Sequence, residues 1–196
     1  MMIGDFDSAR DALLKSTSIE QDPLNVANLA IAWYYEGEYE DAIETFRQAV
    51  ELAPLSVANH VGLGDALLAA GRTRAAQGAY AEAEALARDQ LTAAPHDVEA
   101  LSYLAWAQAM TGDDEAVVTA QRAIDLDPGD YYAHYYQALV ELQTGDTDAA
   151  VDAVDRAIGA GYPVAVLAAE PILEELWDDS RFVALMARHS VGGQKK

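Results

Sequence analysis

Apolar residues return every three or four positions along most of this chain, and the pattern breaks at near-regular intervals. The clearest copy is Asp22 to Pro54, DPLNVANLAIAWYYEGEYEDAIETFRQAVELAP. In its first half Val26, Leu29, Ala30 and Trp33 fall three, four and seven apart. Ala42, Phe46 and Ala49 do the same in the second half, which gives one apolar stripe per helix. A lone helix of about 14 residues is marginal in water, and a hairpin cannot bury both of its own stripes. Each hairpin therefore needs a neighbour, and the pattern predicts an all-α stack of hairpins, a solenoid.

The breaks carry the period. A glycine followed by a polar residue recurs at Gly4-Asp5, Gly37-Glu38, Gly71-Arg72, Gly112-Asp113 and Gly145-Asp146, with spacings of 33, 34, 41 and 33. Glycine suits a helix end because it takes the left-handed conformation at little cost. A small residue follows four or five positions later, at Ala9, Ala42, Ala76, Ala116 and Ala150, where paired helices should touch. Pro54, Pro95 and Pro128 close three of the units, since proline stops one helix and can open the next. The predicted plan is a half repeat over 4–21, full repeats over 22–54, 55–95, 96–128 and 129–161, a helical cap over 162–190, and a disordered tail over 191–196.

These residues resemble the tetratricopeptide repeat family, whose unit is about 34 residues with a small residue and an aromatic at set offsets and a closing proline. The resemblance covers Gly4 to Ile158, and its best copy fits at Leu29, Ala30, Trp33, Gly37, Tyr39, Ala42, Phe46, Ala49 and Pro54. It implies a right-handed α-solenoid of helical hairpins, a non-enzymatic protein-binding function, and a concave groove lined by the first helix of each hairpin.

Four departures stand out. The chain begins within a repeat, with Phe6, Ala9 and Leu13 on one side of a helix that has no first partner. This predicts either a fragment of a longer protein or an edge covered by another segment or a second copy. The unit from Val57 to Pro95 carries seven extra residues, about two helical turns. Either its second helix is stretched over Thr73 to Ala93, with Ala76, Tyr80, Ala83 and Ala87 in one stripe, or its first helix is stretched and turns at Gly78; the former is preferred. The helix from Asp130 to Thr144 has His134, Gln137 and Glu141 on one face where other copies are apolar. Drift near the end of an array explains that face, and a polar binding patch is the sharper alternative. After Gly161 the repeat stops. Pro163 and Pro171 then punctuate short helices, and Asp178 or Asp179 should cap a last helix bearing Phe182, Leu185 and Met186. This resembles the aspartate-rich C-terminal extension that closes many bacterial arrays of the family.

Charge narrows the partners. Twelve Lys and Arg against 33 Asp and Glu give a formal charge of -21. No cationic excess exists to displace counterions from nucleic acid or to seek an anionic membrane. The acids are spread through the periodic helices, the usual mark of a solvated surface. Cysteine is absent, which excludes a disulfide framework, a thiolate metal site and a lipidated cysteine. Asp5 and Asp7 sit where a signal peptide would be basic, and no apolar run reaches the roughly 18 residues of a membrane span. A soluble cytoplasmic protein is expected.

Nothing converges on catalysis or a cofactor. His60 and His134 hold equivalent places in different hairpins, too far apart to share a metal at about 10 Å per helix layer. The stretch from Asp125 to Asp130 begins like a calcium loop, but Tyr136 stands where the loop needs a bidentate glutamate. Gly62 and Gly64 are too few for a dinucleotide fingerprint and read as small residues that permit close helix packing.

The expected function is a scaffold that binds a neutral or basic peptide segment. The groove residues would be Ala27, Ile31 and Tyr34, then Val61, Asp65 and Leu68, then Ser102, Trp106 and Ala109, then Tyr135 and Leu139, with Trp106 and Tyr135 as anchors. Family members that clamp a terminal carboxylate use lysine, arginine and asparagine on these helices, and here only Asn28 and Asn59 are available between the capping segments. A carboxylate clamp is therefore not expected. Two further readings stay open: a self-assembling module, through the edge formed by Phe6, Ala9 and Leu13, and the C-terminal regulatory part of a larger signalling protein, since similar arrays follow bacterial cyclase and kinase domains.

Overall fold

A computed structural model describes residues 6–19 and 22–190, and these residues form eleven α-helices and one 3-10 helix. The chain divides into two compact units, Met1–Ala93 and Ala94–Lys196. Each is a stack of antiparallel helix pairs, the layer from which an all-α solenoid is made.

The first unit contains α1 (Phe6–Ile19), α2 (Pro23–Tyr35), α3 (Tyr39–Leu52), α4 (Val57–Ala69) and α5 (Thr73–Ala93). Each helix packs on the next, and α2 also meets α4. Gly37 and Gly71 end α2 and α4 with φ of +81° and +73°, the left-handed conformation that the turn glycines predict. Gly4 lies outside the described residues, as do the side chains of Phe6 and Ala9. Ala42 and Ala76 are buried at the touching points, beside Phe46 and Tyr80. The 21 residues of α5 place the insertion in the second helix, with Ala76, Tyr80, Ala83 and Ala87 all buried along one stripe. A side chain at Gly78 would meet nothing within 4 Å, so that glycine sits on the outer face of a continuous helix. The close packing of α4 depends on Gly62 and Gly64: a Cβ would come within 2.4 Å of the Phe46 ring at the first and 2.6 Å of the Tyr80 ring at the second.

The second unit contains α6 (Val98–Thr111), α7 (Ala116–Leu126), α8 (Tyr131–Gln143), α9 (Thr147–Ala160), α10 (Val164–Ala169), a 3-10 helix (Pro171–Asp178) and α11 (Ser180–Ser190). Helices α6 and α7 pair, α8 and α9 pair, and α8 packs on both α6 and α7. Gly112, Gly145 and Gly161 again have positive φ at the helix ends. In the cap, α11 meets α9, α10 and the 3-10 helix. The Asp179 carboxylate caps α11 by accepting from the backbone N–H of Arg181 at 2.7 Å and of Phe182 at 3.1 Å. Phe182, Leu185 and Met186 are buried. The tail from Val191 lies outside the described residues. Among those described, no helix is long and apolar enough to cross a membrane.

One local device begins all four first helices. Side-chain oxygens of Asp22, Ser56, Asp97 and Asp130 accept from the N–H of Leu24, Asn59, Ala100 and Ala133 at 3.2, 3.3, 3.1 and 2.7 Å. These contacts satisfy donors that a helix start would otherwise leave bare.

Candidate interaction surface

In the first unit, the predicted groove residues lie at different depths. Ile31 is 42% exposed, whereas Tyr34 and Val61 are buried. Ala27, Asp65 and Leu68 are half-buried. The Asp65 carboxylate accepts from the Tyr80 hydroxyl at 2.6 Å, so the one acid of the predicted groove is tied to its own hairpin. Beside this surface, Arg10 reaches from α1 to the Glu36 carboxylate at 2.5 Å, and its guanidinium lies over the Trp33 ring at 5.1 Å from the centroid.

In the second unit the structure corrects the choice of anchors. Trp106 and Leu139 have no exposed surface, and Ser102, Ala109 and Tyr135 are buried. Helix α6 lies against both α7 and α8, so the indole of Trp106 fills the core and offers a ligand nothing to touch. Truncating Trp106 is a change to the core before it is a change to a surface. Tyr135 is likewise committed: it stacks on Tyr162 with centroids 4.6 Å apart, and its hydroxyl donates to Glu170 at 2.7 Å. Glu170 is itself buried, and its other oxygen accepts from the N–H of Ile172 at the start of the 3-10 helix.

The polar residues of α8 do not make a surface patch. His134 and Gln137 are buried, and Arg156 on α9 donates to the Gln137 amide oxygen at 3.3 Å. Desolvation by burial raises the pKa of Glu141, with Asp146 adding to the rise while Gln137 and Arg156 oppose it. This is a polar seam inside the α8–α9 pair. The ring Nε2 of His134 lies 2.9 Å from the carbonyl of Pro128, and His60 repeats the contact on Pro54 at 3.0 Å. Each histidine thus fastens its helix to the preceding boundary proline. Among the described residues, no group of three or more His, Cys, Asp or Glu could hold a metal ion.

The surface that sequence reasoning missed is made of tyrosine. Six of the ten tyrosines meet in one continuous set of ring contacts. Tyr103 of α6 meets Tyr136, Tyr136 meets Tyr135, and Tyr135 meets Tyr162. Tyr162 also meets Tyr131 and Tyr132 at 5.9 and 5.7 Å. The buried members form the base, and Tyr131 and Tyr132 stand out at 40% and 47% exposed. Glu99 accepts from the Tyr103 hydroxyl at 3.1 Å. Partial burial pushes the Tyr132 phenol above its usual pKa, and the charges of Tyr131, Glu99 and Asp130 push it further. The doublet Tyr131-Tyr132 at the start of a helix, with Glu99 in the preceding first helix, is the signal that the sequence offers for this surface.

One profile described as tetratricopeptide repeat matches residues 61–116 and 114–165, and a second such profile matches residues 34–78. Among solved structures, a thermophilic protein of this repeat type in Thermus thermophilus is 19% identical, with a TM-score of 0.60 over 87% of this chain and 92% of that one. MamA from Desulfovibrio magneticus RS-1, residue 41 to its end, is 21% identical, with a TM-score of 0.46 over 80% and 86%. YrrB, described as a repeat protein with an unusual peptide-binding site, is 18% identical, with a TM-score of 0.38 over 81% and 98%. The first of these alignments shows a shared fold. No curated protein matches the chain.

Proposed function

Because the chain belongs to the tetratricopeptide repeat family, we propose that it is a non-enzymatic scaffold holding a neutral or basic protein segment against the first helices of its hairpins. The supporting observation is where the cations are. Helices α2, α4, α6 and α8 contain no lysine or arginine, so all twelve cationic residues lie elsewhere in the chain. Such helices offer apolar and aromatic side chains within a field set by a formal charge of -21. That field steers cations inward and turns anions away.

The test is to pan a displayed random peptide library against the whole chain and titrate the enriched peptides by calorimetry. Enriched peptides should be neutral or basic with apolar anchors and lose affinity to Ile31→Ser or Tyr132→Ser, and the basic ones should bind more weakly as salt rises. Enrichment of acidic peptides, or unchanged affinity in both variants, overturns the reading. Light scattering over a dilution series separates it from self-assembly, which requires the mass to grow with concentration.

A further inference from the structure

The tyrosine cluster differs from an ordinary apolar patch in one respect: its exposed rings are flanked by carboxylates, and the helices that carry it hold no cation. We propose that Tyr131 and Tyr132, seated on Tyr162 and with Glu99 beside them, form a subsite for an arginine side chain of a partner segment.

The base of the subsite is rigid. Tyr135 and Tyr162 stack face to face, with 12° between their planes, and Glu170 holds the Tyr135 hydroxyl. On that base Tyr131 and Tyr132 lie 4.9 Å apart, and Tyr132 stands at 87° to Tyr162. Tyr131 and Tyr132 remain partly open above the buried Tyr162 ring, which both of them meet. Ring faces carry negative electrostatic potential and attract a cation within about 6 Å of their centroids. The carboxylates reinforce this attraction, because both Glu99 and Asp130 act on the Tyr132 phenol. Asp130 already caps α8, and Glu99, which takes one hydrogen bond from the Tyr103 hydroxyl on its own helix, keeps acceptor sites with which to meet an incoming charge.

The chemistry favours arginine over lysine. A guanidinium is planar, weakly hydrated and able to stack on one ring while its edge donates to a carboxylate. An ammonium is compact and strongly hydrated, and gives up more on leaving water. In this chain α6 has no cation, nor does α8, and Arg122 and Arg156 are engaged with Pro95 and Gln137.

This inference rests on the scaffold reading and is narrower than it, so its experiment uses a probe smaller than a peptide. The aromatic proton–carbon spectrum of the full chain is recorded while N-acetyl-argininamide is added. Parallel titrations use its neutral citrulline isostere and N-acetyl-lysinamide. The Tyr131, Tyr132 and Tyr162 ring signals should shift saturably with the arginine compound, more weakly with the lysine compound, and negligibly with the citrulline compound. Tyr132→Ala and Glu99→Gln should each weaken binding about two- to fivefold, in line with exposed cation–ring contacts. Tyr132 is half exposed, so its loss spares the fold, and unchanged signals from the Trp106 indole check this. Equal shifts with citrulline, shifts confined to other rings, or full affinity in both variants would overturn the subsite. Enriched neutral peptides that bind through Ile31 would still support the broader scaffold reading.

Discussion

The pair α4–α5 in the first unit and the pair α8–α9 in the second are built on one plan and closed by different means. Counting from the touching alanines Ala76 and Ala150, His60 corresponds to His134, Leu63 to Gln137, Gly64 to Ala138 and Leu67 to Glu141. The first pair closes by removing a side chain, so that the buried Tyr80 ring lies directly on the backbone of Gly64. The second keeps an alanine there and fills two neighbouring positions with polar groups, one of them partnered by Arg156. The repeat therefore fixes backbone spacing at the small residue and leaves the rest of the seam free to be apolar or polar.

Gly64→Ala should have the largest effect on the first pair. The new Cβ would lie 2.6 Å from a ring that is fully buried and anchored through its hydroxyl to Asp65. Overpacking of this kind costs about 1–3 kcal/mol, offset by up to about 1 kcal/mol of better helix propensity. The urea midpoint should fall; an unchanged midpoint would mean that the ring retreats freely.

A smaller effect of opposite sign sharpens the contrast. Gln137→Leu restores the apolar residue found at Leu63 and at Leu29 of α2, and it frees the exposed Arg156 to turn to water. It should raise the melting temperature, corresponding to as much as about 1 kcal/mol. A drop would show that the amide and guanidinium stabilise the seam more than a methyl-rich side chain can.

The smallest effect concerns pH. Burial, reinforced by Asp146, raises the folded pKa of Glu141 above the ordinary glutamate value. The folded state therefore favours the protonated acid. The stability this gives is fully present below the unfolded pKa and is lost as pH rises through the higher folded value. Glu141→Gln removes the loss, so the variant should be slightly more stable than the parent at neutral pH and equal to it in acid. Parallel stability curves for the two proteins would show that Glu141 keeps its ordinary titration.

Much of the fold was legible because its signals are local. The glycines at 37, 71, 112 and 145 had to take positive φ for the helices to turn, and Ala42, Ala76, Ala116 and Ala150 had to be small where helices meet. The extra residues near Ala83 kept the apolar stripe in phase, and α5 stayed one helix. Depth was less legible. Periodicity tells which residues share a stripe, but α6 and α8 are apolar around most of their circumference because each is packed from more than one side. Nothing in VEALSYLAWAQAMT distinguishes the side that meets a partner helix from the side that meets solvent, and the expectation for Trp106 falls on the wrong one. The tyrosine cluster needed Tyr162, which is distant in sequence and outside the periodic pattern, to be brought against α8.

The capping carboxylates have a consequence for recognition. The start of a helix is a natural receptor for a phosphate or carboxylate group, because its first N–H groups are unpaired and its dipole is positive there. At α2, α6 and α8 the chain has filled that receptor with its own Asp22, Asp97 and Asp130. A negatively charged group on an arriving segment would find these donors taken and a carboxylate in the way. Each of these helix starts is thus closed to an outside anion by the chain's own carboxylate.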